Sequence, residues 1–281
     1  MKKIISMLLI VCLLGVLASG CGSNMQTVDS IKDSGKLIIH TNAGFAPYEY
    51  LSNGEVVGVD MDIAKAIADK LGVELVIEDV KFDTIITSVQ GGKAALGVAG
   101  ITVTDERKES VDFSVTYATS VQYIIVPADA DVDTIEDLAG LKIGVQLGTT
   151  GNFIIDDEIN GIDEDDGSHT KGVLEGTGAE CITYNNANLA AAAMDSGKLG
   201  AVVIDKLPAE IIGQKYGEKF KVMELVYEDG SKTTEEYAIA IAKGNESLLE
   251  VVNEVLAELK NNGKIDEWVL YHSENAVMDE E

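Results

Sequence analysis

Residues 58–72 read GVDMDIAKAIADKLG, and the runs on either side, KLIIHT at 36–41 and VELVIEDV at 73–80, are short and apolar. Ile63, Ile67 and Leu71 recur on one face of a helix, Asp60 or Asp62 fits its start as a cap, and Gly72 stops it. Strand, helix and strand in that order read as a parallel sheet covered by helices. TIITSVQGG (84–92) and ALGVAG (95–100) continue the alternation.

The pattern restarts after Pro127. TIEDLAG precedes the strand KIGVQ (142–146), GTTG opens a helix, and ECITY, NANLAAAAMDSG and LGAVVID follow. GGKAALGVAG near the end of the first unit echoes SGKLGAVVID near the end of the second, as expected of two similar α/β lobes. The tail, ESLLEVVNEVLAELKNNGKIDEWVLYH, is a long amphipathic helix broken at Asn262-Gly263 and followed by a second helix with Trp268.

The first twenty residues are a different kind of segment. Lys2 and Lys3, the apolar run Ile4–Val16 and the small residues Ala18-Ser19-Gly20 spell a secretory signal. The run is too short for a comfortable membrane span. Cleavage before Cys21 resembles the lipobox of bacterial lipoproteins, with Ala18 at its first position; the alternative is an ordinary signal and a chance cysteine. Residues 1–20 are therefore expected to leave, Cys21 to carry lipid, and 21–28 to serve as a tether without crossing the bilayer. Cys181 then stands alone in an apolar strand, and the three histidines are far apart, so no disulfide framework, metal cluster or cofactor is expected.

A formal net charge of −27 argues against nucleic acid, whose phosphates need clustered cations. The acidic run DEDDGSH (163–169) reads as a solvated loop. Among 21 Lys and Arg residues, Arg107 is the single arginine, in GITVTDERKES. It is either a neutral survivor in a lysine-rich chain or a planar fork kept to grip a carboxylate with two hydrogen bonds.

In open α/β sheets, ligands sit beyond the carboxyl ends of strands. Three segments fall there: ITVTDER with Thr102, Thr104 and Arg107; LGTTG, a glycine-bounded turn at a helix start; and Asp205 after AVVI. A carboxylate would go to Arg107 and the helix-start amides, and an ammonium to Asp205. Taken singly, Asp205 equally fits an N-cap for KLPAEIIG, the threonines fit caps, and GTTG fits an ordinary turn.

Taken together, GFAPYEY, GVDMDIAKAIADKLG, GITVTDERKESVDFS with VTYATS, GVQLGTTG, SGKLGAVVID and EYAIAIAKGNESLLEVVNEVLAELKNNGKIDEWV resemble, in that order, the polar-amino-acid solute-binding proteins of ABC importers. The resemblance runs from about Asp29 to Tyr271 and is similar in phrase to the glutamine binders. It implies a two-lobed, periplasmic-binding-protein-like (type II) α/β fold, each lobe a sheet flanked by helices, joined by two crossing hinge strands. Lobe 1 would take residues 29–119 and 236–281, and lobe 2 residues 120–235, with an acidic excursion near 156–178. The implied role is a monomeric, extracytoplasmic, lipid-anchored protein that captures a free amino acid for a membrane permease.

The resemblance also carries site residues. The carboxylate-binding arginine falls on Arg107, its hydroxyl partner on Thr102 and the second-lobe amide on Thr150. The ammonium acceptors fall on the Gly100 carbonyl and Asp205, and the aromatic walls on Phe45 and Phe82. Asn42, Gln146 and Ile204 fall at the side-chain pocket, and all are uncharged. A cationic side chain would lack a counter-ion at these positions, so a neutral or polar ligand is expected, and arginine and lysine disfavoured. Tyr48 and Tyr117 are expected in the core or hinge, and Glu49 in an ordinary turn. A dehydratase-like enzyme or a ligand-sensing protein of the same fold is the alternative.

Overall fold

The computed structural model describes residues 25–164 and 166–276; Cys21 and the signal segment lie outside the described residues. Helix α1 (Val28–Ser34) leads into β1 (Lys36–Thr41), the hairpin β2 (Tyr50–Ser52) and β3 (Glu55–Val57), helix α2 (Val59–Leu71) and β4 (Glu74–Asp79). β1 and β4 pair in parallel from Lys36↔Glu74 to Thr41↔Asp79, as the pattern around 58–72 requires. The next elements are α3 (Ile85–Gln90), β5 (Leu96–Gly97), the short α4 (Asp105–Ser110) and β6 (Val111–Phe113).

β7 (Ala118–Ser120) carries the chain across to a second sheet. There lie β8 (Gln122–Pro127), β9 (Lys142–Gln146), α5 (Thr150–Asn160), the hairpin β10 (Ile162–Asp163) and β11 (His169–Thr170), and β12 (Glu180–Tyr184). α6 (Ala187–Asp195), β13 (Ala201–Asp205), α7 (Lys206–Tyr216) and β14 (Phe220–Glu224) complete it. β15 (Glu235–Tyr237) crosses back against β7, antiparallel. β16 (Ala240–Ala242) then re-enters the first sheet, and α8 (Glu246–Asn261) and α9 (Lys264–Asn275) pack against α2 and each other.

The two sheets repeat one plan. Their orders are β4-β1-β5-β16-β6 and β12-β9-β13-β8-β14. In each, three parallel strands are followed by one antiparallel strand that enters from the crossover, and then by an edge strand antiparallel to that one. Both faces of the second sheet are buried: Val202 and Ile204 join one core cluster, Ala201 and Val203 the other. Ile204 thus packs in the core and is absent from the cleft wall, contrary to the sequence reading. The acidic run forms the exposed hairpin β10–β11, where His169 meets Asp163 and Glu175. Cys181 is a free, half-buried thiol on β12.

The start of α2 differs from expectation. Its N-cap is Gly58, with no side-chain cap, and Asp60 turns inward with no exposed surface. There it accepts hydrogen bonds from the Gly100 N–H at 2.8 Å and the Tyr117 hydroxyl at 2.8 Å. A carboxylate that can collect these two donors across the lobe does not stay on the helix end. Gly58 is the residue that permits this entry: its φ is 135°, and a Cβ would stand 2.1 Å from the Tyr48 carbonyl oxygen. Gly58→Ala should therefore cost about 2–3 kcal/mol or more of unfolding free energy. A denaturant midpoint equal to that of the parent protein would refute the strain at this position.

Candidate functional site

The two sheets point their parallel-strand carboxyl ends at one another, and the loops there meet across a cleft. Asn188 Nδ2 donates to the Gly44 carbonyl at 3.2 Å, Gln146 Nε2 to Asn42 Oδ1 at 2.9 Å, and the Thr102 and Thr150 hydroxyls lie 3.3 Å apart. Each pair joins one lobe to the other, so the cleft is closed. The small pocket left between the lobes is lined among others by Phe45, Phe82, Gly100, Thr102, Arg107, Gln146, Thr150 and Asp205. Eight of the nine ligand-site residues read from sequence stand on this wall. The ninth, Asn42, sits behind Gln146.

Arg107 is placed by its helix and held by carbonyls. Thr104 caps α4, accepting from the Arg107 N–H at 3.1 Å, so the side chain leaves the first turn toward the cleft. Arg107 is 8% exposed. Nη1 donates to the Thr102 carbonyl at 2.7 Å and Nη2 to the Gly148 carbonyl at 3.0 Å, while the guanidinium stands 5.5 Å from the centre of the Phe82 ring. Burial lowers its pKa, and Glu235, Asp205 and Glu106 oppose that shift. A guanidinium has five N–H donors, so two committed to carbonyls leave the rest of the fork for an anion in the cavity. Thr149 caps α5, and Thr150 opens that eleven-residue helix at the cavity wall, where first-turn N–H groups lack intrahelical partners.

Phe45 and Phe82 face the cavity from lobe 1. Gly100 must be glycine: φ is 52° and a Cβ would stand 2.6 Å from the Phe45 ring. Tyr48 and Tyr117 pack behind this wall around Tyr237, with ring centres 5.1 and 6.4 Å from it.

Asp205 ends β13 at the N-cap position of α7 yet makes no cap hydrogen bond. Its side chain accepts from the Tyr237 hydroxyl instead. Burial, and then the charge of Glu235, push its carboxyl up to about 8, against hydrogen bonds from Tyr237 and Gln122.

Two carboxyls that the sequence reading did not assign to the cleft stand at it. Glu49 is on the cavity wall and fully buried. Burial and the neighbouring Asp60 raise its pKa well above the usual carboxylate range, while Asp60 reaches only about 6. The pair is hydrogen-bonded, and Glu49 keeps the proton. Glu235, on the return strand β15, is 4% exposed and accepts from Thr102 Oγ1 at 2.5 Å, Thr150 Oγ1 at 2.7 Å and Gln122 Nε2 at 2.5 Å. This alters one assignment. The single hydroxyl hydrogen of Thr102 goes to Glu235, so its oxygen meets the cavity as an acceptor and cannot also donate to a carboxylate. A sequence signal for Glu235 exists: Tyr237 belongs to the core, and strand alternation puts residue 235 on the same face.

Among the described residues, no group of three or more His, Cys, Asp or Glu is placed to hold a metal ion, and no helix is long and apolar enough to cross a membrane.

A two-lobed sheet pair with a cleft of this composition is the architecture of a protein that binds a small charged molecule between its lobes. The profile of the bacterial extracellular solute-binding proteins, family 3, matches residues 37–272, and the chain belongs to that family. It is 30% identical to the arginine-binding extracellular protein ArtP of Bacillus subtilis (strain 168), over 95% of this chain and 96% of that protein. The crystal structure of AbpA from Streptococcus pneumoniae bound to L-arginine superposes with a TM-score of 0.77 at 29% identity, covering 89% of this chain and all of that one. An ancestral arginine-binding protein bound to glutamine gives a TM-score of 0.71 at 35% identity, covering 83% and 95%.

The site carries a pH dependence of known sign. In an open cleft Asp205 would lose much of the burial that chiefly raises it, and so would titrate below the value of about 8 it reaches in the closed, empty cleft. The closed form would therefore hold the proton more tightly and be favoured toward the acid end. Raising the pH from about 5 to 8 without ligand should lower the closed-to-open ratio, by at most about tenfold per unit. Fluorescence energy transfer between dyes on the two lobes reads this ratio, and a ratio that rises with pH would contradict the assignment.

Proposed function

We propose that this protein captures one free amino acid in the cleft between its lobes and delivers it to an ABC permease, as a monomer held at the outer face of the membrane by lipid on Cys21. The observation that carries the reading is Arg107, a single buried guanidinium with unspent donors facing a closed cavity. The α-carboxylate goes to Arg107 and the first amides of α5; the α-ammonium goes to Asp205, the Gly100 carbonyl and the Thr102 hydroxyl oxygen. Phe45 and Phe82 flank the ligand. The protein binds without chemistry and needs no cofactor.

The side-chain end has a fixed polarity. Asn42 Nδ2 donates to the Val80 carbonyl at 2.7 Å, so Asn42 Oδ1 must be the atom that accepts from Gln146 Nε2. That chain orients the Gln146 amide and leaves its Oε1 buried and without a partner on the cavity wall. The neutral ligand expected from sequence rested on three uncharged pocket positions, Asn42, Gln146 and Ile204, and of these Ile204 packs in the core and only Gln146 stands on the cavity wall. What the wall selects is a side chain that donates: the amide of glutamine or the guanidinium of arginine satisfies Oε1, and a carboxylate is repelled by it. The relatives named for arginine, and the one that holds glutamine, are consistent with this polarity.

Two titrations test the reading by calorimetry. Arg107→Lys should weaken binding of the tightest amino acid roughly tenfold or more, ~1.4 kcal/mol, because an ammonium cannot reproduce the fork. Glutamate should bind at least about a hundredfold more weakly than the better of glutamine and arginine, ~2.7 kcal/mol. Unchanged affinity in the first case, or glutamate as the tightest ligand in the second, overturns the corresponding assignment. Turnover of any bound compound would reject a binding-only role.

A further inference from the structure

Glu235 is a cleft carboxylate carried on a crossing strand, whose main chain pairs with the Thr102 segment of the first lobe through Tyr237. It lies on β15, the return crossing, where it stands opposite Ser120 of β7 in the strand pair that joins the two sheets. From there it reaches both lobes. Thr102 lies just beyond β5 of the first sheet, and Thr150 begins the helix that follows β9 of the second. Both hydroxyls donate to the same oxygen, Glu235 Oε2, at 2.5 and 2.7 Å. The other oxygen, Oε1, accepts from Gln122, two residues past β7 at the foot of the outgoing crossing.

The chemistry of the three groups makes the arrangement conditional on closure. Two hydroxyls 3.3 Å apart bring one hydrogen each, and at that separation neither satisfies the other well. A carboxylate between them accepts both. When the lobes part, Thr102 and Thr150 separate, and one oxygen cannot keep both donors. We propose that Glu235 is a closure latch: a hinge-strand carboxylate that ties one hydroxyl from each lobe and thereby biases the cleft toward its closed form. Because it takes both hydrogens, it also leaves the threonine oxygens as acceptors for an ammonium. That second half rests on the amino acid reading above; the latch itself does not, since it is formed in the empty cleft.

The latch is distinguished from a charge effect by two substitutions. Glu235→Leu removes every acceptor. Glu235→Gln keeps a carbonyl oxygen for both hydroxyls, and its new N–H group finds Gln122 Oε1, which is buried without a partner, once that amide turns over. Spin labels on Glu55→Cys and Lys198→Cys, exposed positions on lobe 1 and lobe 2, report the interlobe distance by pulsed electron resonance in the full chain. Without ligand, the closed-to-open ratio should fall about fivefold or more in Glu235→Leu and less than about twofold in Glu235→Gln. Melting followed by circular dichroism confirms that both variants are folded; should Glu235→Leu be unfolded, Thr150→Val removes one leg of the latch and should lower the ratio in the same direction. A parent-like ratio in Glu235→Leu overturns the proposal. So does an equal loss in Glu235→Gln, or an empty parent cleft that is wholly open. L-arginine and L-glutamine are then added to the same samples. If neither shifts the parent distance, the amino acid reading fails while the ligand-free ratios still judge the latch.

Discussion

A guanidinium buried at 8% exposure is tolerable only where oxygen acceptors surround it, and in this protein the acceptors come from both lobes. One nitrogen of Arg107 donates to the carbonyl of Thr102, on its own lobe, and another to the carbonyl of Gly148, on the other. The closed cleft is thus the arrangement in which this cation is satisfied. The positions of α4 and of the turn before α5 follow from that need. So does the aromatic neighbour: Phe82 offers a ring face 5.5 Å away, which attracts a cation without competing for its donors.

The crossing strands make a shared site possible. β7 and β15 are only three residues each and pair with one another, so the lobes are connected by a narrow ribbon instead of a broad interface. Rotation about such a ribbon changes few main-chain hydrogen bonds while moving loops at the cleft by much more. Tyr237 anchors the ribbon: it is fully buried, packs against Phe45, Tyr48 and Tyr117, and turns its hydroxyl to Asp205 on the opposite lobe. Asp205 serves as the end of a strand, the start of a helix and a partner of the hinge, and its freedom from capping α7 is what leaves it available.

Much of this was legible in the sequence, and the reason is periodicity. Ile63, Ile67 and Leu71 announced α2, and the alternation of short apolar runs with helices announced two parallel-strand units. Arg107 stood out because it is a single guanidinium among lysines. What stayed hidden were acidic residues whose burial depends on distant partners. Asp60 looks like a helix cap until Gly100 and Tyr117 are brought to it from forty and fifty-seven residues away. Glu49 follows a turn, and nothing local says that Asp60 will share its proton. Glu235 and Glu236 are chemically the same pair of letters; only the pleat of β15, with residue 235 inward and 236 outward, tells them apart. Ile204 was misplaced for the same reason, since alternation along β13 sends it into the core beside Val202.

These hidden acids decide the electrostatics of the cleft. Glu235, Asp205 and the single charge shared by Glu49 and Asp60 face one cation, so the buried negative charge exceeds the positive even though each carboxyl has its own donors. An empty cleft relieves the excess by keeping a proton on Asp205. A zwitterion carries no net charge and leaves the excess as it is, but its two ends would pair locally, an ammonium with Asp205 and a carboxylate with Arg107. A ligand with a carboxylate and no ammonium would add to the excess, and one with an ammonium and no carboxylate would leave Arg107 with donors unspent. The arrangement of charges therefore fits the two opposite charges of an α-amino acid group as a unit. On the same wall the Gln146 amide is held by Asn42 from the facing lobe, so its orientation is set by a contact made across the closed cleft.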